Sequence, residues 1–377
     1  MSAWARRLYP AAAIAALSLS LIRYDRTALA LLLAFLLLAW REAVAALRAR
    51  LDVAAAAFLL FAWIAALSLW RGDRLALQFL VQYAGFLALF LAAGAMQAAG
   101  RRPGDDQALA FWFLLAVSAL LLVPASILYA DFLKVFRPDE FYLGRWSLVF
   151  NNPNVYGMVM ATGFCLAVAL WHAGRLPAWG LAAAGLLFLF QVAMSRSRNA
   201  YGVAGIGALV LAALAMRRGG APALRGLAAL LVVAIGGAIA YLAATGRLTH
   251  ANEAHGFGTT LDVRIHAWRT AIDQVSRHPW VGVGVQALLT GEPHRHAHNV
   301  ALTLAAEFGL VGLALALAFL AACLRHAGLA ALVPLIPAFA GQMIDDFHFQ
   351  RTFGLLTTLL MAGVAFARTD RGPGGAS

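Results

Sequence analysis

Long apolar runs, separated by short clusters of Arg, Asp, Pro and Gly, alternate along almost the whole chain. A run of about 20 such residues forms a helix that crosses the ~30 Å hydrocarbon layer of a bilayer. The pattern predicts about twelve spans, at roughly 8–22, 27–40, 53–70, 75–97, 109–130, 154–172, 178–194, 199–216, 223–244, 299–323, 327–343 and 352–367. The alternating segments of an outer-membrane barrel are absent from the sequence. We therefore expect an all-α polytopic membrane protein.

Composition agrees with this expectation. Of the 377 residues, 63% are hydrophobic and 12% are charged, whereas a soluble domain has about 25% charged residues. No Gly/Ser-rich linker divides the chain, so residues 1–377 are interpreted as a single integral membrane domain. Cys165 and Cys323 each lie within an apolar run, so neither a disulfide framework nor a thiolate metal site is expected.

The distribution of charge predicts the orientation. Outside two long loops, 131–153 and 245–298, the connections on the side of the termini carry about twice as many Lys and Arg as those opposite, which favours cytoplasmic termini. The net charge of +12 is dispersed over both sides, so nucleic-acid binding is not indicated. The outer face should be poor in Arg, yet it has several beside His and at helix ends. An anionic ligand at that face would explain them.

Three histidines end the longer loop. His294, His296 and His298 come directly before Asn299 and an apolar run. Imidazoles titrate near neutrality, so a general base at the water–lipid boundary is one interpretation. A zinc site is a second, although His-x-His-x-His without carboxylates or thiolates is weak metal spacing. A polar helix start with Asn299 as the N-cap is a third. Residue types alone leave all three open.

An amphipathic helix is predicted earlier in the same loop. Ile265, Trp268 and Ile272 recur at helical spacing, which is typical of a helix on or under the membrane surface. A guanidinium fork matches the oxygens of headgroups and diphosphates, so Arg264 is a candidate for binding an anion. Anchoring at the interface by Arg and Trp is the alternative, and for Arg269 we favour it.

Arg196 and Arg198 lie between two apolar runs that are joined by almost no loop. A guanidinium costs roughly 2.5–3.5 kcal/mol at the centre of a membrane helix and less near its end. Such a cost favours a bound partner, with snorkelling to the interface as the alternative.

Two further segments predict turns. Asn152-Pro153-Asn154 closes the 131–153 loop, where Asn-Pro starts a turn and the amides can cap the next helix. The segment 279–284 must turn tightly, and its Gly-x-Gly is too common a pattern to indicate a phosphate loop.

In this order, these segments resemble the bacterial O-antigen ligase and polymerase superfamily, which are membrane glycosyltransferases that take glycan from undecaprenyl diphosphate. The resemblance spans roughly residues 145–315. The matching elements are Asn152-Pro153-Asn154 with Gly157, Ser197-Arg198, Arg264 with Trp268 and Ala271, Pro279 with Gly282 and Gly284, and His298-Asn299 with Glu307 and Gly309.

The resemblance implies inverting displacement at the anomeric carbon of the donor sugar, with undecaprenyl diphosphate as leaving group and with no metal or other cofactor. Arg198 and Arg264 would bind the diphosphate, and His298 would activate the acceptor hydroxyl. The family usually has Gly after the Ser-Arg pair, where this chain has Asn199. This difference leaves the choice between Arg196 and Arg198 open. His296 is the alternative base, and Asn299, Asn154 and Glu307 are supporting residues.

The resemblance also implies a bacterial inner-membrane protein whose periplasmic loop, 245–298, carries much of the site. It further implies a lipid-linked glycan donor and a lipid A-core acceptor. A polymerase would use the same donor chemistry; a ligase is favoured because the chain is short and has only one very large exterior loop. A transporter or lipid flippase would instead predict polar sites near the bilayer midplane, or two similar halves.

Overall fold

The computed structural model describes residues 3–21, 25–72, 74–127, 153–217, 226, 236–237, 260–284, 297, 299–325, 333–335 and 351–366. Within these ranges the regular elements are helical, with no strand, which confirms the predicted class there. In chain order they are α1 (Ala3–Leu21), α2 (Asp25–Leu38), α3 (Trp40–Ala49), α4 (Leu51–Arg71), α5 (Arg74–Ala98), α6 (Pro103–Ile127), α7 (Pro153–His172), α8 (Ala178–Ser195), α9 (Arg198–Arg217), α10 (Thr260–Arg277), α11 (Val300–Leu324), a 3₁₀ turn (Val333–Leu335) and α12 (Arg351–Ala365).

Seven of the described helices, α4 to α9 and α11, are long and apolar enough to cross a bilayer. The pair α2 and α3 passes the same test as one bent unit, which would make eight. These helices support a polytopic membrane protein. Predicted spans 223–244 and 327–343 fall mostly outside the described residues, so the total of about twelve stays a prediction.

The second predicted span, 27–40, corresponds to α2, whose bounds lie two residues earlier in the chain. α2 ends at Leu38, and α3 leaves it at an angle of 85°. α3 carries Arg41, Glu42 and Arg48, and these charges would be costly in hydrocarbon. The change of direction therefore coincides with the change from an apolar to a charged sequence.

α7 is the most enclosed candidate span of the described part of the chain, and its residues 155–170 are all buried. It packs against α6, α8 and α9. At Gly163 a Cβ atom would come within 2.5 Å of Cε1 of Phe188 on α8, so only glycine allows this approach. The position of α7 thereby sets the positions of α8 and α9.

A buried polar cluster connects α6, α7 and α8. The Tyr156 hydroxyl donates a hydrogen bond to Oε1 of Gln191 at 2.6 Å, and Nε2 of Gln191 donates to the Ser118 hydroxyl. Hydrogen bonds between membrane helices contribute about 0.6–2 kcal/mol each. This cluster therefore adds specificity to helices that otherwise pack through apolar surfaces.

A second cluster surrounds the fully buried Asp106 on α6. Nε of Arg101 donates to Asp106 at 3.0 Å, and Nε2 of Gln97 donates to the other carboxylate oxygen at 3.2 Å. The same amide donates to the Ala362 carbonyl at 3.2 Å, while the Arg101 guanidinium lies 5.0 Å from the ring centroid of Tyr9. One carboxylate thus joins α1, α5, α6 and α12.

Replacing Asp106 with Ala should lower the thermal stability of the detergent-purified protein, because it leaves the Arg101 charge without its buried partner. Removal of one member of a buried pair costs roughly 3 kcal/mol. Asp105→Ala is the matched control, since its 2.6 Å ion pair with Arg175 is solvent-accessible and exposed pairs contribute at most about 1 kcal/mol. Melting curves compare the two, and equal shifts would show that the Asp106 cluster has no special role.

Candidate active site

The chain reverses between α8 and α9 within two residues. α8 ends at Ser195, α9 begins at Arg198, and Arg196 between them has φ 49° and ψ 31°. Among the described residues, Arg196 is the only non-glycine residue with positive φ. The left-handed conformation costs an L-residue roughly 1–2 kcal/mol, so the surrounding contacts must hold this turn in place.

Serine side chains and a glycine provide those contacts. The Ser195 hydroxyl donates to the Val192 carbonyl at 2.6 Å and accepts from the Ser197 N–H at 3.1 Å. A Cβ atom on Gly157 of α7 would lie 2.5 Å from the Ser195 Oγ. The resemblance to the family included both Gly157 and the Ser-Arg pair, and their packing explains why the two elements occur together.

The two arginines of this turn have different surroundings. The Arg196 side chain is exposed, whereas Arg198, the first residue of α9, is partly buried. The Arg264 guanidinium on α10 is close enough to Arg198 for its charge to act on it. The turn and the amphipathic helix therefore bring Arg198 and Arg264 within electrostatic range of each other, from positions 66 residues apart in the printed sequence.

α11 contains a break that its apolar sequence does not indicate. Gly309 has φ 72° and ψ 178°, which interrupts the helical hydrogen bonds around it. The segment 279–284 supplies replacement partners. The N–H groups of Val283 and Gly284 donate to the carbonyls of Ala306 and Glu307, both at 2.8 Å, and the Leu310 N–H donates to the Pro279 carbonyl at 2.7 Å.

Glycine is required on both sides of this contact. Gly282 has φ 66°, and a Cβ atom there would lie 2.5 Å from the Glu307 carbonyl. A Cβ atom on Gly309 would overlap the backbone of Trp280 and Val281. The predicted turn at 279–284 is confirmed, and its glycines allow two backbones to meet.

This contact holds α10 against the first half of α11. Ala271 of α10 forms a small buried cluster with Ala297 and Ala306, and Val275 and Leu302 pack against it. The amphipathic helix predicted around Arg264 is therefore present as α10, although its location on the outer face stays a prediction. Arg264 is on its first turns, and so lies beyond the region that packs on α11.

Asn299 is the N-cap of α11, as one interpretation of the sequence predicted. Its side-chain oxygen accepts a hydrogen bond from the Leu302 N–H at 3.1 Å. The three histidines before it, His294, His296 and His298, lie outside the described residues, so the roles of base and of metal ligand are not tested. Within the described ranges, no group of three His, Cys, Asp or Glu residues could hold a metal ion.

The two remaining predicted residues lie close to the break in α11 and to the turn between α8 and α9. Glu307 is 1% exposed, and its backbone carbonyl accepts a hydrogen bond from the 279–284 segment. Asn154 is on the first turn of α7, one turn before Gly157, and Pro153 begins that helix as expected for a residue without an N–H.

An apolar cavity of about 340 Å³ lies beside α11. It extends along that helix from Val300 to Leu320, and the other walls come from α4, α5 and α12. The sequence did not indicate it, because each wall contributes ordinary apolar residues of a membrane helix. The cavity begins immediately after the Asn299 cap. It therefore adjoins the same end of α11 as α10, the helix that carries Arg264.

Part of the sequence matches a known protein family. A family described as O-antigen ligase matches residues 183–317, a range that includes α8 to α10 and most of α11. The match supports the O-antigen ligase and polymerase superfamily, as the sequence resemblance predicted, and with it a glycan-processing membrane enzyme of glycosyltransferase type. The family implies lipid-linked glycan substrates in general. No curated protein matches the sequence.

The α11 break generates a prediction about stability. Replacing Gly309 with Ala forces a side chain into a conformation that is almost exclusive to glycine and into contact with Trp280, at a cost of at least about 1–3 kcal/mol. We expect a lower melting temperature and loss of the α10–α11 contact. Gly85→Ala on α5 is the matched control, because a Cβ atom there meets nothing within 4 Å. Retention of wild-type stability by Gly309→Ala would contradict the described break.

Proposed function

We propose that this protein is an inverting, metal-independent glycosyltransferase that moves O-antigen polysaccharide from undecaprenyl diphosphate to the lipid A-core oligosaccharide. It would act as a single membrane domain of the bacterial inner membrane, with its site at the periplasmic face. The observation that carries the proposal is the approach of Arg264 on α10 to Arg198 at the start of α9. Both guanidinium groups are positively charged, so an anion bound at this place would be attracted by both.

A diphosphate fits this arrangement. Its two phosphates offer oxygens for two planar forks, and the N-terminus of α9 adds the positive end of a helix dipole beside Arg198. In the proposed reaction, these charges would stabilise the negative charge that develops as the diphosphate leaves. A cationic clamp of this kind makes a metal ion unnecessary.

The acceptor half of the reaction is assigned to the histidines before α11. An acceptor hydroxyl would attack the anomeric carbon, the new C–O bond would form as the bond to diphosphate breaks, and His298 would take the hydroxyl proton. A positioned base of this kind contributes on the order of 10² to 10⁴ in rate. His296 is the alternative base. Support comes from the Asn299 cap at the start of α11 and from the packing of α10. Together they hold α11 near the helix that carries Arg264.

The apolar cavity along α11 supports a donor with a polyprenyl chain. Its lining combines residues such as Phe61, Phe86 and Leu304 from three different helices, and it follows α11 for about five turns. In the proposal, part of the carrier chain occupies this cavity, while the diphosphate lies at its polar end.

The alternatives are a polymerase and a transporter. A polymerase would share the donor site, and the transfer experiment below separates it from the ligase. Transporters use the free backbone groups of broken helices to bind substrates. Here the carbonyls of Ala306, Glu307 and Phe308 all accept protein hydrogen bonds, the last from Trp63 at 2.9 Å, which argues against such a site at the break.

Transfer in a host that lacks its own ligase tests the proposal, with lipopolysaccharide ladders read at matched membrane expression. Wild type should restore the ladder, and His298→Ala should abolish it. Two conservative substitutions, Arg198→Lys and Arg264→Lys, keep the positive charge but remove the planar guanidinium fork. Each should lower transfer by about 10-fold or more. Chain lengthening on undecaprenyl diphosphate without transfer to lipid A-core would instead establish a polymerase.

Arg196→Gly is the matched control in that experiment. Glycine adopts the left-handed conformation without strain, so the turn should be preserved and stabilised by up to about 1 kcal/mol. Because the exposed Arg196 is the alternative ligand rather than the favoured one, transfer should remain. Loss of the ladder with Arg196→Gly but not with Arg198→Lys would reverse the assignment.

The cavity generates a separate prediction. Ala316→Phe on α11 narrows it, and should lower transfer from a polyprenyl-linked donor by about 10-fold through a weaker apolar contact. Ala314→Phe adds the same group to an exposed position outside the lining. Initial rates with a full-length and a short-chain donor separate the effects. If Ala316→Phe and Ala314→Phe lower transfer equally, the cavity does not hold the polyprenyl chain. The same conclusion follows if Ala316→Phe lowers the rate equally with the full-length and the short-chain donor.

A further inference from the structure

The indole nitrogen of Trp268 has an unusual environment. It is buried, and no atom within the described part of the chain accepts its hydrogen bond. Trp63, by contrast, donates to the Phe308 carbonyl at 2.9 Å. Leaving a buried donor unsatisfied is unfavourable, so an N–H group in this state indicates a partner that the described residues do not supply.

The position of Trp268 suggests what that partner is. Arg264, Trp268, Ala271 and Val275 are spaced at four, three and four residues, so they share one face of α10. Ala271 and Val275 pack on α11, and Arg264 at the other end acts on Arg198. Trp268 is therefore located between the arginine pair and the start of α11.

Neither of the ordinary roles of Trp explains this nitrogen. An interfacial anchor keeps its N–H in contact with water or headgroups, whereas this nitrogen is inaccessible. A purely apolar packing role needs only a ring, which Phe provides without an unsatisfied donor.

We propose that the indole N–H of Trp268 donates a hydrogen bond to an oxygen of the lipid-linked glycan donor, on its diphosphate or on the sugar next to it. The inference rests on the proposed function, because it adds a donor-binding residue to the same site. An indole nitrogen only donates, so it selects an acceptor oxygen. It is also neutral, and so it contributes a hydrogen bond without adding a third positive charge beside Arg198 and Arg264.

Trp268→Phe tests the proposal, because it removes the N–H and retains an aromatic ring. We expect the KM for the lipid-linked donor to rise about 10-fold, as for loss of one hydrogen bond to a charged or polar group. The melting temperature of the ligand-free protein should stay the same or rise, since an unsatisfied buried donor is removed. A structural role predicts the opposite pair of results: lower stability and an unchanged KM.

Two further variants isolate the N–H group. Site-specific incorporation of 3-benzothienylalanine at position 268 replaces the nitrogen with sulfur at almost constant shape, and should reproduce the higher KM. Trp179→Phe is the control, because Trp179 is 76% exposed at the start of α8, and should change neither quantity. A wild-type KM with the sulfur analogue would overturn the proposal.

Binding of undecaprenyl diphosphate without glycan identifies which oxygen accepts. Weaker binding of this probe to Trp268→Phe supports a contact with the diphosphate, whereas weaker binding of the glycan-bearing donor alone supports a contact with the sugar. If wild type binds and Arg198→Lys weakens binding while Trp268→Phe does not, this inference fails and the proposed function stands. If wild type binds neither probe, the proposed function fails, and the inference fails with it.

Discussion

The hydrogen bonds around Gly309 are the constraint on which the candidate site depends. In a low-dielectric interior every backbone polar group needs a partner, so a helix can break only where other groups replace its own bonds. Here the segment 279–284 and the Trp63 indole supply those partners for α11. Because 279–284 directly follows α10, the same bonds fix α10 on α11 and so determine where Arg264 lies.

A second break, between α8 and α9, follows the same logic with different groups. Serine hydroxyls satisfy the backbone at the end of α8, and Gly157 of α7 leaves room for the turn. Both breaks thus combine glycine at a close approach with polar groups that satisfy the chain. Together they bring the start of α9 and the first turns of α10 close enough for Arg198 and Arg264 to interact. An anion bound there would be attracted by both positive charges, which supports the anionic ligand of the proposed function.

The sequence predicted those features that depend on local spacing. Apolar runs predicted the helices, periodic Ile and Trp predicted α10, and Asn299 before an apolar run predicted the N-cap. The break in α11 was not predicted, because the apolar run continues on both sides of Glu307 and Gly309 and a glycine in a membrane helix is ordinary. The pairing of Gly157 with the Ser195 turn and the cavity beside α11 were missed for a related reason. They arise where separate helices meet, and no single segment contains their signal.

The choice between Arg196 and Arg198 illustrates how structure adds to sequence. In Ser-Arg-Ser-Arg both arginines have the same neighbours, so residue type and spacing cannot separate them. Backbone conformation does separate them: the left-handed φ of Arg196 ends α8 and leaves its side chain exposed, while Arg198 starts α9 partly buried and near Arg264. Arg196 therefore forms the turn, and Arg198, which begins the next helix, is the arginine that lies near Arg264. A Ser-Arg pair is informative in such a sequence because the serine can cap the helix that the arginine begins: here the Ser197 hydroxyl accepts a hydrogen bond from the Ala200 N–H at 3.4 Å.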